Sequence, residues 1–218
     1  MKILITAGAT REPIDGVRFL TNVSTGATGA RLALAFGARG HEVTLLSGQG
    51  AVAAPGVRRL QFADFGDLDA RLRALLSEES WDLVVHAAAV SDYSVEVVRL
   101  PSGEVLAAGA RGKLDSRGEK LELVLRRNFK IVERLRSYAG SRPPRIVAFK
   151  LTNGASPDAR AAAVAELARG PVDAVVHNDL SEISPGRHPF RLLRGGEAAG
   201  ECDGAEALAE LILQEVPR

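Results

Sequence analysis

Five short apolar runs, at residues 2–7, 42–47, 82–87, 145–151 and 172–177, are each closed by small or polar residues. Segments with helical spacing lie between and after them, at 30–39, 67–77, 129–138, 158–168 and 205–215. Strands that alternate with helices pair in parallel through helical crossovers, so the pattern predicts a doubly wound, mostly parallel, Rossmann-like α/β sheet. Ligands of such sheets sit at the carboxyl ends of the strands. That places attention on Ala7 to Thr10, on His86 to Ala89 and on Phe149 to Thr152.

Residues 95–125 break the alternation: they lack a helical period, and two β-prone stretches flank Gly-rich, polar sequence. They read as a β-rich excursion, and an irregular insertion of that size is usually functional or an assembly element. Its apolar residues Val97, Val98, Val105 and Leu106 are expected to be exposed and to meet a partner surface. The whole chain, 1–218, reads as one domain.

At 218 residues with 46% hydrophobic and 25% charged residues, the chain is long and apolar enough to bury a core, which argues against disorder. Its formal net charge is +1, from 28 Lys and Arg against 27 Asp and Glu, so no strong basic field exists for nonspecific nucleic-acid or anionic-membrane binding. One cysteine, Cys202, makes an intrachain disulfide impossible, and no Cys/His cluster has zinc spacing. No apolar run reaches membrane-helix length and the first residues do not resemble a signal peptide. A soluble, cytoplasmic protein is expected.

About twenty residues separate the first strand from the first helix, whereas the dinucleotide fingerprint turns directly into its helix and needs an acidic residue closing the second strand. Here that strand ends Leu45-Leu46-Ser47-Gly48, which argues against a nicotinamide cofactor. The end of the insertion, residues 22–29, puts hydroxyls and flexible backbone at a helix N-terminus. It has two readings: a cradle for phosphate at the positive end of the helix, or Ser24, Thr25 and Thr28 capping the helix while the glycines turn the chain. Taken alone, the segment does not choose between them.

The opening stretch from Thr6 to Gly26, TAGATREPIDGVRFLTNVSTG, resembles the first motif of the phosphopantothenate–cysteine ligase family. Further resemblances follow in order: HAAAVSDY at 86–93, Gly112-Lys113-Leu114, the stretch 123–131, AFKL at 148–151 and VVHNDL at 175–180. The match covers nearly the whole chain, without the decarboxylase half fused to this ligase in many bacteria, so it looks like the free-standing form. The resemblance implies a ligase of coenzyme A biosynthesis that joins 4′-phosphopantothenate to cysteine through an acyl-nucleotidylate made from CTP or ATP, with Mg²⁺.

By resemblance, Gly8, Ser24, Gly26 and Gly29 would line the triphosphate, and Phe149, Lys150 and Asn178 would serve the nucleotide. Asn22 would contact the pantothenoyl part and support turnover of the intermediate. Ala88, Ala89 and Asp92 would hold the phosphopantothenate chain, Lys113 would carry charge to substrate phosphates, and Arg18 would reach the phosphopantothenate phosphate of a neighbouring subunit in a homodimer. No metal ligand is assigned, and His86, His177 and His188 receive no role.

Three departures stand out. Ala9 replaces a family glycine, a small change if its backbone φ is negative. Ala27 stands where many bacterial members carry lysine, and 160–170 contains no lysine where many have a lysine-rich helix, leaving Arg169 as the nearby cation. These keep open a nucleotide-binding paralogue with weak or changed activity; a reductase using NAD(P) is the remaining alternative.

Overall fold

The computed structural model describes residues 1–109, 112–114 and 119–216; residues 110–111 and 115–118 of the expected excursion lie outside the described residues. Along the chain come β1 (Lys2–Ala7), β2 (Arg11–Pro13), β3 (Phe19–Thr21), α1 (Ala27–Ala38), β4 (Glu42–Gly48), β5 (Arg58–Phe62), α2 (Phe65–Glu78) and β6 (Leu83–His86). Next are β7 (Tyr93–Arg99), β8 (Val105–Ala107), β9 (Glu122–Arg127), α3 (Leu135–Tyr138), β10 (Arg145–Thr152) and α4 (Pro157–Ala168). The chain closes with β11 (Ala174–Asp179), β12 (Pro189–Arg194), β13 (Glu197–Asp203) and α5 (Ala205–Glu215).

The main sheet has eight strands in the order β13-β12-β11-β10-β6-β1-β4-β5. The six from β11 to β5 pair in parallel, and β12 and β13 add an antiparallel edge. The doubly wound expectation is therefore borne out, with three strands more than the five apolar runs announced. Period-2 alternation builds two cores from β1 alone. Ile3, Ile5 and Ala7 pack with Leu32, Phe36, Leu208 and Ile212 of α1 and α5 on one face, while Leu4 packs with Leu68, Leu72 and Leu76 of α2 on the other. Both faces are covered, which is why the middles of the central strands carry apolar residues on both sides.

Where the observed elements differ, local contacts explain it. The expected helix at 129–138 is a single 3-10 turn at Ile131–Glu133 followed by the one-turn α3. Asn128 holds the preceding backbone extended: its Nδ2 donates to the Ser91 carbonyl at 3.0 Å and to Ser94 Oγ at 2.9 Å. The last parallel strand begins at Ala174, not Val172, because the Asp173 carboxylate accepts from the Ile146 amide at 2.8 Å and also pairs with Arg136 and Arg145. The hairpin β12–β13 turns on Gly195 and Gly196, both at positive φ (59° and 89°), the two-residue loop that a Gly-Gly pair favours.

Before the loop that enters α1, the long insertion after β1 forms a short hairpin, β2–β3. It packs on the excursion, a three-stranded antiparallel sheet in the order β8-β7-β9 with a small core of Val95, Val98 and Leu114. Val98 is thus fully buried and Leu106 half-buried, contrary to the expectation that both are exposed; of the four named residues Val105 is the exposed one. The excursion has its own interior because Leu114 and, from the β2–β3 hairpin, Ile14 pack against Val95 and Val98. Asp15 ties hairpin to excursion: its carboxylate accepts from the Leu114 amide at 3.0 Å, and the Gly16 amide donates to the Gly112 carbonyl at 2.9 Å.

Candidate functional site

The chain winds outward from β1 through α1 to β4 and β5, then returns through α2 to β6 on the other side of β1. The reversal leaves a crevice at the carboxyl ends of β1 and β6. A cleft of about 550 Å³ occupies it. Its walls are the loop into α1 (23–28), the turn after β6 (86–92), the segment after β9 (129–133), the end of β10 (148–151) and parts of α4 and β11.

The turn after β6 is held in place by main-chain bonds that continue the β1–β6 pairing. The Ala89 amide donates to the Gly8 carbonyl at 2.8 Å, the Thr10 amide to the Ala89 carbonyl at 3.3 Å, and the Ser91 amide to Thr10 Oγ1 at 3.0 Å. Ala88 and Ala89 therefore present small side chains to the cleft from a fixed backbone.

Ser24, Gly26, Ala88, Ala89, Asp92, Phe149, Lys150 and Asn178 line this one cleft, although they come from four separate stretches of chain. Gly26 is the N-cap of α1 with φ 72°, and a Cβ there would stand 2.9 Å from that of Ala51, so backbone geometry alone demands glycine. Gly29 lies on the buried face of α1, where a Cβ would come within 2.5 Å of the Ala7 Cβ. Neither Gly8 nor Gly29 belongs to the lining. Ala9 has no positive φ, so alanine is accommodated there without strain.

The other three expected residues stand off the cleft wall. Asn22 is exposed, one residue outside it, and donates from Nδ2 to the Val90 carbonyl at 3.3 Å. Arg18 lies on the β2–β3 turn, where its Nε donates to Asp15 Oδ2 at 2.8 Å and its terminal nitrogen to the same oxygen and to the Leu114 carbonyl. That guanidinium, with the other bonds it receives, holds the Asp15 carboxyl well below the usual carboxylate range. Lys113 is exposed between Gly112 and Leu114, on the side of the excursion that packs against this hairpin.

The cations on the cleft wall, among the described residues, are Lys130 and Lys150. Arg169 is exposed at the end of α4 and is not part of the lining. Lys130, which replaces no lost lysine in sequence, follows β9 into the cleft and reaches Asp92 Oδ1 with its Nζ at 2.6 Å. It lies within the motif-like stretch 123–131, which assigns it no role of its own; the pairing of β9 with β7, and the Asn128 amide on the Asp92 carbonyl, bring it there.

An aromatic wall stands at the β11–β12 side. His188 stacks on Phe190 with ring centroids 4.2 Å apart, Phe149 meets Phe190 edge-on at 6.2 Å, and Asn178 Nδ2 lies 3.2 Å from His188 Nε2. Burial pushes the His188 ring toward its neutral form. Next to Asn178, Asp179 is fully buried and accepts from Thr152 Oγ1, from the Ser181 amide and hydroxyl and from the Gly154 amide. These bonds hold its carboxyl below the ordinary range and pin the turns after β10 and β11. Among the described residues, no group of three or more His, Cys, Asp or Glu is placed to hold a metal ion.

Residues 1–189 match the family model described as DNA/pantothenate metabolism flavoprotein C-terminal domain. The chain belongs to this family. The relationship read from the ordered motifs is thereby borne out, and solved and curated members of the DNA/pantothenate metabolism flavoprotein group agree with it. A structure titled DNA/Pantothenate Metabolism Flavoprotein, from Streptococcus pneumoniae, superposes with a TM-score of 0.84 at 25% identity, covering 99% of this chain and 98% of that one. The Coenzyme A biosynthesis bifunctional protein CoaBC of Escherichia coli K12 is 28% identical over 222 residues, covering 99% of this chain and 51% of that protein. The chain thus spans about half the length of that curated relative. A structure titled Cab2 mutant H337A complex with phosphopantothenate-cysteine shares the fold, with a TM-score of 0.72 at 18% identity. No helix among the described residues is long and apolar enough to cross a membrane.

Proposed function

We propose that the chain joins 4′-phosphopantothenate to cysteine, using a nucleoside triphosphate. The carboxylate attacks the α-phosphorus, pyrophosphate leaves, and the cysteine amine then displaces nucleoside monophosphate from the acyl carbon. The observation that carries this reading is the convergence on one cleft of the α1 N-terminal loop, the Ala88–Ala89 turn, Phe149 with Lys150, and Asn178. In this reading the α1 end of the cleft takes the triphosphate, the small side chains of Ala88 and Ala89 flank the acid, and the aromatic wall serves the base.

Each substrate but cysteine is strongly anionic, so the protein's work is positioning and neutralisation. The α1 N-terminus and Ser24 suit the triphosphate, because amides and the helix dipole favour anions and no acidic residue lies in the first turn. Lys150 and Lys130 add positive charge, and Asn178 faces the base. CTP and ATP both fit this account. Mg²⁺ would supply charge neutralisation on the triphosphate; with no carboxylate cage among the described residues, its ligands are best sought on the nucleotide itself. A homodimer is part of the reading, supported by exposed Val17, Phe19, Val105 and Leu125 on the hairpin and excursion.

The experiment is to mix the protein with 4′-phosphopantothenate, Mg²⁺ and each triphosphate and to follow pyrophosphate release with and without cysteine. Release that depends on phosphopantothenate supports the ligase. Triphosphate binding without release would favour a nonenzymatic paralogue, a reading to which the absence of lysine from residues 160–170 lends weight. Tight NADH or NADPH binding would favour the reductase.

A further inference from the structure

His86 closes β6 at the reversal of the sheet and lines the cleft, yet it is 7% exposed. Its Nδ1 lies 2.9 Å from Thr6 Oγ1. Thr6 is completely buried, and its oxygen also accepts from the Ala88 amide at 3.2 Å. A buried hydroxyl must place its single proton on an acceptor, and the one in reach is Nδ1. The Thr6 hydroxyl therefore donates to the ring, and the ring proton resides on Nε2.

Nε2 has no hydrogen-bond partner among the described residues, and it is not a sealed orphan: the one buried, unpartnered side-chain polar atom among them is Thr44 Oγ1. The proton is thus turned to the open side of a ring that is otherwise enclosed, and that side is the cleft. A donor held open to the cleft by an otherwise enclosed ring is placed to exchange solvent for an acceptor on a ligand.

We infer that His86 is a fixed, uncharged hydrogen-bond donor whose Nε2–H takes the acyl oxygen of the bound acid, holding it during attack on the nucleotide and stabilising the oxyanion when the amine adds. This rests on the proposed ligase reading. The location fits, because His86 lines the same cleft as the α1 loop assigned to the triphosphate and stands two residues before Ala88 of the turn assigned to the acid. An uncharged donor suits a carbonyl oxygen, whereas the phosphates are matched by Lys130 and Lys150. Burial holds the ring neutral, with its pKa down at about 4, so the residue orients and polarises but does not shuttle protons near neutrality.

The first test needs no variant. Ring ¹⁵N NMR of the intact protein is expected to show a pyridine-type Nδ1 and a protonated Nε2 for His86, with the Nε2 signal moving when 4′-phosphopantothenate is added. The second is kinetic: His86→Leu is expected to slow amide formation about 100-fold, the loss typical of removing one oxyanion donor, with His86→Gln recovering part of it. A proton on Nδ1, an Nε2 signal unmoved by a ligand that shifts other cleft residues, or a His86→Leu variant within about twofold of the parent overturns the inference alone. Absence of pyrophosphate release by the unmodified protein overturns the ligase reading, and this inference with it.

Discussion

Lys130 Nζ stands 2.6 Å from Asp92 Oδ1 on the cleft wall, with both side chains more than half exposed. An ion pair so placed contributes little to stability, about 0–1 kcal/mol. Its importance lies in the position: a carboxylate of the protein occupies one of two lysines on a wall assigned to anionic substrates. Binding a substrate phosphate or carboxylate would exchange that partner for a ligand oxygen.

Lys130→Gln should therefore leave the melting temperature nearly unchanged while raising KM for the acid substrate about tenfold, the worth of one charge-assisted hydrogen bond. Steady-state kinetics beside thermal melts check this. An unchanged KM would return Lys130 to the role of a surface ion-pair partner.

For Asn22→Asp, the expected pattern is a division between half-reactions. The new carboxylate cannot donate to the Val90 carbonyl, as Asn22 Nδ2 does, and it repels an anionic intermediate, so acyl-nucleotidylate should accumulate in quenched reactions. Equal losses of pyrophosphate release and amide formation would refute that division.

Gly29→Ala pits two effects of opposite sign against each other. Alanine is favoured over glycine in a helix by roughly 1 kcal/mol, but its methyl would meet the Ala7 Cβ at 2.5 Å. Overpacking of a rigid core costs about 1–3 kcal/mol, and here β1 cannot retreat because it pairs on both sides. A net loss of stability is expected in denaturant melts, with weaker nucleotide binding as the α1 N-terminus shifts.

His86 also makes stability depend on pH. Its folded pKa, about 4, lies below the ordinary 6.5, and burial is the cause. Between these values the unfolded chain binds a proton that the folded protein refuses, so stability rises with pH through this window. It is complete above about pH 6.5 and declines on acidification by on the order of 3 kcal/mol as pH 4 is approached. Burial lowers His177 and His188 in the same direction. Melts from neutral to acid pH should show the decline, and His86→Leu should flatten it; identical slopes for the two proteins would contradict the assignment.

The shared-site reading of Arg18 has a complementation test. Its guanidinium is held by Asp15 within the chain but is still partly exposed. Mixing Arg18→Ala and Asn22→Asp subunits should regain activity, because one of the two sites in each mixed dimer receives both intact residues. Mixtures as inactive as the separate variants, or a monomer in sedimentation, would leave Arg18 as a brace for the hairpin.

The amino-acid sequence by itself determined the parallel sheet, since runs such as Ile3-Leu4-Ile5 and Leu83-Val84-Val85 are apolar on both faces and only a doubly covered sheet buries them. It also determined the family, through motifs whose order survives in one dimension, and it led to eight of the thirteen expected site residues that share the cleft. The rest was decided by contacts between distant segments. Phe129 to Tyr138 carries a helical period, but Asn128 is bonded to Ser91 and Ser94, and that overrides local preference. Val98 looked exposed because nothing near it in sequence shows that Leu114 and Ile14 would pack over it. Lys130 and His86 lie in motif-like stretches, but each gains a role of its own only when Lys130 is set against Asp92 and Thr6 against the ring. Those relations span 38 and 80 residues, beyond the reach of any local pattern.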